Sequence, residues 1–185
     1  MLGILVACFS PSKHPANTPT LAILLRAVRL GYVGRASALR GGATVSQRSI
    51  SQFFAAMGAP LHIVRQSWGA VRSDGAVVLR VWADRCQQHD GKRYVQLTHL
   101  EKYGGDSRNF GYNERLEHVQ MIIDGASCYL VMCQVKDPVA SPRDIKSWNR
   151  DSLFVGGRLE KIDGDWWVEL ADKIPADQLM TKPSL

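Results

Sequence analysis

LFVGGRLEKIDGDWWVEL, residues 153–170, is the stretch that does most to decide the fold. It contains two dipeptides, Gly156-Gly157 and Asp163-Gly164, which can adopt the positive φ angles that a two-residue hairpin turn requires. Both are flanked by residues that favour β-strands, among them valine, isoleucine and tryptophan. The stretch therefore predicts three short antiparallel strands joined by tight turns.

The last of these strands also indicates which of its faces lies in the core. Successive side chains of a strand point to opposite faces of the sheet. Trp166, Val168 and Leu170 therefore share one face, whereas Trp167 and Glu169 share the other. We expect the first face to be buried and Trp167 to lie at the edge or mouth of the sheet.

Further strands are predicted upstream of this stretch. Residues 76–83, AVVLRVWA, are rich in β-branched side chains, and residues 92–100, KRYVQLTHL, alternate between polar and apolar ones. We expect these two strands to pair across the polar loop 84–91. Residues 127–135, SCYLVMCQV, are apolar on both faces, which is typical of a central strand covered on each side.

One amphipathic helix is predicted over residues 113–124. Asn113 is a favourable N-cap, two glutamates follow in the first turns, and a glycine ends the segment. Apolar side chains recur at helical spacing and form one stripe, of which we expect Leu116, Val119 and Ile123 to be buried against the sheet. Strands, turns and one packed helix predict an α+β domain, with a curved, mostly antiparallel sheet or a partly closed β-barrel.

Charge is distributed unevenly along the 185 residues, which include 23 Lys and Arg and 17 Asp and Glu. Six of the basic residues lie in residues 1–56, which contain no acid, so the rest of the chain carries 17 residues of each sign. We interpret residues 1–56 as an extension outside the core, with Met57 as an alternative start; a transit peptide is a second interpretation. Residues 57–175 are predicted to form a single domain and residues 176–185 a tail.

The sequence lacks the common cofactor and metal motifs. It has no Walker-type phosphate loop, no dinucleotide-binding glycine motif, no nucleophile elbow and no zinc-protease helix. The four cysteines form no Cys-x-x-Cys pair, which favours free thiols in a reducing compartment over a zinc site. Arg26 and Arg29 interrupt the only long apolar run. We therefore expect a cytoplasmic protein without a cofactor, a metal or a membrane span.

The strand at residues 76–84 has an unusual polar face. Alternation puts Arg80, Trp82 and Asp84 on the side opposite its apolar face. An indole between a guanidinium and a carboxylate can stack on a planar ring while its neighbours bond to the edge of that ring or to a phosphate. The alternative interpretation is that Trp82 packs under the helix or a loop, beside an ion pair between Arg80 and Asp84.

Three loops, residues 66–75, 101–113 and 141–152, combine glycine or serine with aromatic planes and basic or amide donors. This mixture is used to hold unstacked bases and the adjoining phosphates. Together with the strand, the loops supply the predicted nucleic-acid-binding residues: Trp68, Arg72, Arg80, Trp82, Asp84, Tyr103, Arg108, Tyr112, Arg143, Lys146, Trp148 and Asn149.

The order of helix, buried strand, polar loop and hairpins resembles a known family. Residues 111–138, GYNERLEHVQMIIDGASCYLVMCQVKDP, and 141–170, SPRDIKSWNRDSLFVGGRLEKIDGDWWVEL, are similar in pattern to the modified-base reader domains that precede HNH nucleases in modification-dependent restriction systems. They are also similar in outline to PUA-superfamily readers such as EVE and SRA domains. The resemblance implies DNA as the partner and an aromatic pocket for a flipped or modified base, in a reader that is either truncated before its nuclease or works with a nuclease on a separate chain. The positions that match this pocket are Trp68, Trp82, Tyr103 and Trp148.

Two other classes of function remain open. A small enzyme acting on a nucleotide or polar metabolite would use His99 and Glu101, which would point to the same side of a strand end, together with Asp84 and Arg85. A protein-interaction module would instead expose an apolar patch around Trp167. The tryptophans of the predicted pocket distinguish these classes, because base recognition requires them to meet in one basic cleft.

Overall fold

The computed structural model describes residues 48–105 and 108–180. Its helices are α1 (Ile50–Ala56), α2 (Leu100–Tyr103) and α3 (Phe110–Ile123), and its strands are β1 (Gly69–Val71), β2 (Val77–Trp82), β3 (Cys86–His89), β4 (Lys92–Gln96), β5 (Cys128–Val135), β6 (Ile145–Trp148), β7 (Ser152–Ile162) and β8 (Asp165–Pro175). Short 3-10 turns follow β2 and β8. None of the helices in these two ranges is long and apolar enough to cross a membrane.

All eight strands of the described residues belong to one sheet. Its order is β1-β2-β5-β7-β8-β4-β3, and β6 pairs with β5 on the edge that β5 shares with β7. Only β2 and β5 are parallel. The predicted α+β class with a mostly antiparallel sheet is therefore confirmed, and the sheet is open and not closed into a barrel.

The two central strands, β2 and β5, carry apolar side chains on both faces. In β2, Val78 packs in a cluster with Phe53 and Phe54, the α1 cluster. Its neighbour Leu79 packs on the other face in a cluster with Val119, the α3 cluster. The side chains of β5 divide between the same two clusters, so the prediction of a central strand covered on both faces is confirmed.

The long hairpin of β7 and β8 agrees with the sequence at one turn and differs at the other. Asp163 and Gly164 have φ angles of 50° and 87° and form the predicted turn. Gly156-Gly157 was expected to form a second turn, but it lies inside β7, so the prediction of three short strands is wrong. The pairing register shifts there, and a Cβ on Gly156 would lie 2.9 Å from Cys128 Cβ. This glycine therefore permits close packing and does not reverse the chain.

The predicted pairing of the strands at 76–83 and 92–100 is also wrong. Part of the intervening loop forms β3, which pairs with β4 through a turn at Asp90-Gly91 with φ angles of 48° and 75°. β2 pairs instead with β1 and β5. The other edge of β4 pairs with β8, where Val95 lies opposite Val168. β2 has two apolar faces, so it is best covered on both faces and bordered by a strand on each edge, as it is between β1 and β5.

Helix α3 exists as predicted but begins earlier and buries a different face. Its N-cap is Asn109, whose side chain accepts a hydrogen bond from the Tyr112 amide at 2.9 Å. Leu116 and Ile123, expected in the core, are 40% and 47% exposed. Val119 is buried as expected, and the other side chains on the buried face are Tyr112, Arg115 and His118.

Residues 48–56 correct the predicted boundary of the core. Helix α1 begins with a capping box in which Ser49 and Gln52 bond to each other's backbone. Phe53 and Phe54, both in the segment interpreted as an extension, are 2% and 0% exposed in the α1 cluster. The core therefore starts before Met57. The rest of the proposed extension, residues 1–47, lies outside the described residues.

Candidate functional site

A cavity of about 520 Å³ lies beside the second half of β2. Its walls are formed by the loop before β1, the chain that follows β4, helices α2 and α3, and the loop that joins β5 to β6. The volume is typical of sites that hold a small molecule or one unit of a polymer. Four sequence-distant segments therefore meet at one concave surface.

The lining of this cavity is strongly cationic. It contains no Asp or Glu, and its six cationic side chains are Arg65, Arg80, Arg85, Lys102, Arg115 and Arg143. From Met57 onward the chain has equal numbers of acidic and basic residues. Positive charge is thus concentrated in this cavity and is not spread over the domain. A concave site with one sign of charge focuses the field on a ligand of the opposite sign.

Aromatic rings form one wall of the cavity. The ring of Trp68 lies 5.2 Å from that of Tyr103 and 6.3 Å from that of His99, in edge-to-face orientations. Tyr112 lies behind this wall, 5% exposed, with its ring 6.4 Å from Trp68. Glu114 accepts a hydrogen bond from the Trp68 amide at 2.7 Å and helps to fix this residue in position.

The opposite wall is formed by Trp82 and Arg143. The guanidinium carbon of Arg143 lies 4.9 Å from the centre of the Trp82 ring, a cation–π contact. Arg143 also donates to Asp84, which lies within 3.9 Å of Arg85. Trp82 both packs against the α1 cluster and lines the cavity. The expected ion pair is different, because Asp84 pairs with Arg143 and Arg85 and not with Arg80.

Arg115 of helix α3 reaches the cavity from the protein interior. The residue is 2% exposed, and its Nη2 donates to the carbonyl oxygens of Trp68 at 2.7 Å and Arg80 at 2.8 Å. Its Nε is buried without a hydrogen-bond partner. Burial lowers the pKa of Arg115 to about 10, so the side chain is still charged at neutral pH. No carboxylate of the described residues lies within ion-pair distance of it.

His99 lies between the aromatic wall and the cations. Burial, together with the positive charge of Arg115, lowers the pKa of His99 to about 4, so the imidazole is neutral at pH 7. The residues on either side of His99 are held by Asp165, which accepts hydrogen bonds from Thr98 Oγ1 and from the Leu100 amide, both at 2.7 Å. Glu101 is exposed on α2 and does not line the cavity. The predicted pair of His99 and Glu101 at a strand end is therefore wrong.

Several predicted binding residues have structural positions away from the cavity. Arg72 donates to the carbonyl oxygens of Met57 and Leu179, and so ties the β1–β2 turn to the two ends of the core. Tyr112 supports the aromatic wall from behind. Arg108 is exposed and lies outside the lining of the cavity.

The third predicted loop is divided by the sheet. Arg143 lines the cavity, but Lys146 and Trp148 belong to β6, and neither lines it. Trp148 packs against the α1 cluster, with the guanidinium carbon of Arg150 4.3 Å from its ring centre. Asn149 accepts hydrogen bonds from two backbone amides of its own turn. Trp68 and Trp82 thus line one basic cleft, whereas Trp148 does not.

Four polar residues of the lining were not predicted from the sequence: Arg65, Gln96, Lys102 and Arg115. For Arg115 a signal was present, because Tyr112, Arg115, Val119 and Ile122 recur at helical spacing and form a second candidate stripe on the helix. That stripe contains a charged residue, which is rarely buried without a partner. The sequence therefore favoured the purely apolar stripe, with Leu116, Val119 and Ile123, as the buried face of the helix.

The interaction surface expected around Trp167 is not seen in the part of the chain that the structure describes. Trp167 is only half exposed, with its ring nitrogen buried, and does not form an exposed apolar patch. No group of three or more His, Cys, Asp or Glu in residues 48–105 and 108–180 is arranged to hold a metal ion. Cys86, Cys128 and Cys133 are free thiols as predicted, and the fourth cysteine lies outside the described residues.

Comparison of the chain with protein-family models, with curated proteins and with solved structures gave no match. The resemblance to modified-base reader domains therefore stays a prediction.

Proposed function

We propose that this cavity binds a base that has left the stack of a nucleic-acid strand, and that the protein is a recognition module for a modified or flipped base. The proposal is based on one observation. Trp68 and Trp82, which come from distant segments, line one cavity whose lining has six cationic side chains and no Asp or Glu. Aromatic faces hold unstacked bases, and arginines hold the phosphates beside them.

The cavity suits a base better than a purely electrostatic contact with a duplex. A protein that binds through phosphates alone needs a broad basic surface, because each phosphate contact adds a similar increment of affinity. Here the charge is balanced over residues 57–185, so affinity has to come from a few contacts inside the cavity. Stacking on one base is worth about 1–3 kcal/mol, which makes the tryptophans the main contributors.

In this proposal the partner is DNA, as the resemblance implies. Acid–base catalysis on a nucleotide is less well supported. His99 is the titratable side chain best placed in the cavity, but with a pKa of about 4 it is a poor base at neutral pH. The lining contains no carboxylate that could act beside it.

Binding of modified and unmodified DNA to Trp82→Ala tests the proposal, with Trp148→Ala as the matched control. Both indoles are half-buried against the α1 cluster and flank Cys133 of β5, but only Trp82 lines the cavity. We expect Trp82→Ala to lose about 1–3 kcal/mol of binding free energy and its preference for the modified base. Trp148→Ala should lose comparable stability and retain binding, as measured by fluorescence anisotropy below both melting temperatures.

Two results would contradict this function. One is that the wild-type protein binds neither DNA nor RNA, single-stranded or double-stranded, modified or not, at low salt. The other is that both variants lose the same affinity, since the loss would then reflect the α1 cluster and not the cavity. Binding of RNA in place of DNA would keep the cavity as a base site and change the partner.

A further inference from the structure

Two arginines of the cavity have donors that the protein itself leaves unpaired. Nε of Arg115, and Nε and Nη1 of Arg143, are buried and have no hydrogen-bond partner. A buried donor without an acceptor is costly, and a buried charge without a counter-ion is more so. Proteins therefore pair such groups, and three unpaired guanidinium nitrogens at one cavity indicate that a ligand supplies the acceptors.

No group of the described protein neutralises Arg115. The carboxylate that acts on it most is Glu114, which is engaged with the Trp68 amide and lies outside ion-pair distance. Cys128 and Cys133 also lie nearby, but burial raises the pKa of each thiol to about 12, so neither carries a charge at neutral pH. The positive charge of Arg115 is therefore left for a ligand to balance.

The two arginines face the same cavity. Arg115, Arg143 and His99 all line it, and the positive charges of both arginines contribute to lowering the pKa of His99. Both Arg115 and Arg143 are also fixed in place. Arg115 is anchored to two backbone carbonyls, and Arg143 is held by Asp84 and by the ring of Trp82. A preorganised pair of this kind loses little entropy when it binds.

We infer that Arg115 and Arg143 form an oxyanion subsite that takes a terminal phosphate, so that the nucleotide accepted by the cavity is a phosphorylated end of a strand or a free nucleotide. This inference rests on the proposed function and names the class of ligand. Arginine binds phosphate oxygens through paired N–H donors, and a phosphomonoester carries between one and two negative charges at neutral pH.

A terminal phosphate fits this position better than one inside a strand. Arg115 is 2% exposed, so a group that contacts it has to enter the cavity. A phosphodiester continues into the chain on both sides and carries a single charge, which places it at the rim. A phosphomonoester has one covalent attachment, so it can reach the buried guanidinium while its sugar and base lie against Trp68 and Trp82.

Inorganic phosphate tests the subsite without any nucleic acid. We expect phosphate to raise the melting temperature of the full chain saturably, at constant ionic strength against chloride. Arg115→Gln and Arg143→Gln should each weaken phosphate binding by about tenfold to 100-fold, the range for hydrogen bonds to a charged group. Lys173→Gln, which removes an exposed cation of β8, should bind phosphate as the wild type does.

Nuclear magnetic resonance of His99 in the wild type gives a second measurement if Arg115→Gln fails to fold. A phosphate beside Arg115 and Arg143 would offset the charges that act on the imidazole, so the pKa of His99 should rise when phosphate is added. The same titration with Arg143→Gln should show a smaller rise. No change in either the melting temperature or the His99 signal, up to tens of millimolar phosphate, would overturn the inference.

Matched oligonucleotides identify the source of the phosphate. Strands with a 5′-phosphate, a 3′-phosphate or only hydroxyl ends, and a nucleoside compared with its monophosphate, should show at least a tenfold preference for one phosphorylated form. Equal binding of phosphorylated and hydroxyl ends would overturn the subsite and leave base recognition intact. Binding of phosphate and of mononucleotides, but of no strand, would support the subsite and contradict the proposed nucleic-acid function.

Discussion

At the scale of single residues, two histidines respond to burial beside the same cation. Burial, with a contribution from Arg115, lowers the pKa of His118 to about 4, as it does for His99. His118 is 5% exposed and its Nδ1 is buried without a partner. Neither imidazole can take up a proton without placing a second charge next to an uncompensated one. The two side chains are therefore neutral packing groups at physiological pH.

This predicts a loss of stability on mild acidification. Histidine in the unfolded chain titrates near pH 6.5, whereas these two titrate near pH 4 in the folded protein, so below pH 6.5 the unfolded state binds more protons. The free energy of unfolding should fall as the pH is lowered from about 6.5 toward 4, by up to about 1.4 kcal/mol per pH unit for each group.

Urea unfolding at pH 7, 6 and 5 measures this dependence, over a range in which ordinary carboxylates stay ionised. His118→Leu should reduce the slope because it removes one of the two groups. Val139→Ala, at a position that is 90% exposed and has no titratable group, is the control and should keep the wild-type slope. A free energy of unfolding that stays constant from pH 7 to pH 5 would show that these imidazoles are accessible to protons in the folded state.

At the scale of elements, helix α3 shows what periodicity can and cannot determine. The spacing of apolar residues predicted that a helix exists, because that follows from local sequence. It did not determine which face is buried, since Val119 belongs to two overlapping stripes. The choice depends on the surroundings, namely the aromatic wall and the cavity, which bring Arg115 into the interior. These are long-range contacts that no local pattern contains.

The burial of Val119 and the exposure of Leu116 predict how much stability is lost when each is replaced by alanine. Val119→Ala removes a side chain that is 2% exposed in the α3 cluster and should cost roughly 2 kcal/mol of unfolding free energy. Leu116→Ala removes a larger side chain that is 40% exposed and should cost less than about 1 kcal/mol. Denaturant unfolding measures both, and the reverse order would mean that Leu116 faces the core.

The first turn of α3 also controls the position of the aromatic wall. A Cβ on Gly111 would lie 2.2 Å from Trp68 Nε1 and 2.5 Å from the Gln66 carbonyl oxygen. Under the proposed function, Gly111→Ala should therefore displace the indole from the cavity and weaken DNA binding by about fivefold to 150-fold, the loss expected for one base-stacking ring. Gly105→Ala, where a Cβ meets nothing within 4 Å, is the control and should bind normally. Unchanged binding by Gly111→Ala would exclude Trp68 from recognition.

At the scale of the whole molecule, strand pairing explains which parts of the site could be predicted. Arg80 and Trp82 were placed correctly because alternation along one strand fixes their face. Trp68 and Tyr103 were found through loop composition, and both line the cavity. Trp148 was grouped with Arg143 because both lie in one loop of the predicted composition. Pairing of β6 with β5 places Trp148 outside the cavity. Which loops meet depends on the order of strands in the sheet, and that order is set by contacts distant in sequence.

The residue at which the folded core begins is a second property that depends on the whole molecule. Charge suggested Met57, because acids are absent before Asp74. The α1 cluster needs side chains from before that point, since Phe53 and Phe54 are almost fully buried. Removal of one buried phenylalanine side chain costs about 3–5 kcal/mol, against a total stability of about 5–15 kcal/mol for a typical domain.

Truncation from the N-terminus tests this directly, by thermal unfolding of a chain that begins at Arg48 and one that begins at Met57. The first keeps α1 with its capping box, and the second loses both phenylalanines of the α1 cluster. The shorter chain also leaves Met57, whose carbonyl accepts from Arg72, at a free terminus. We expect it to be largely unfolded at 25 °C, while Phe54→Ala in the full chain lowers the melting temperature without abolishing the transition. Melting of the two truncated chains within a degree of each other would restore Met57 as the start of the core, because α1 would then contribute nothing to stability.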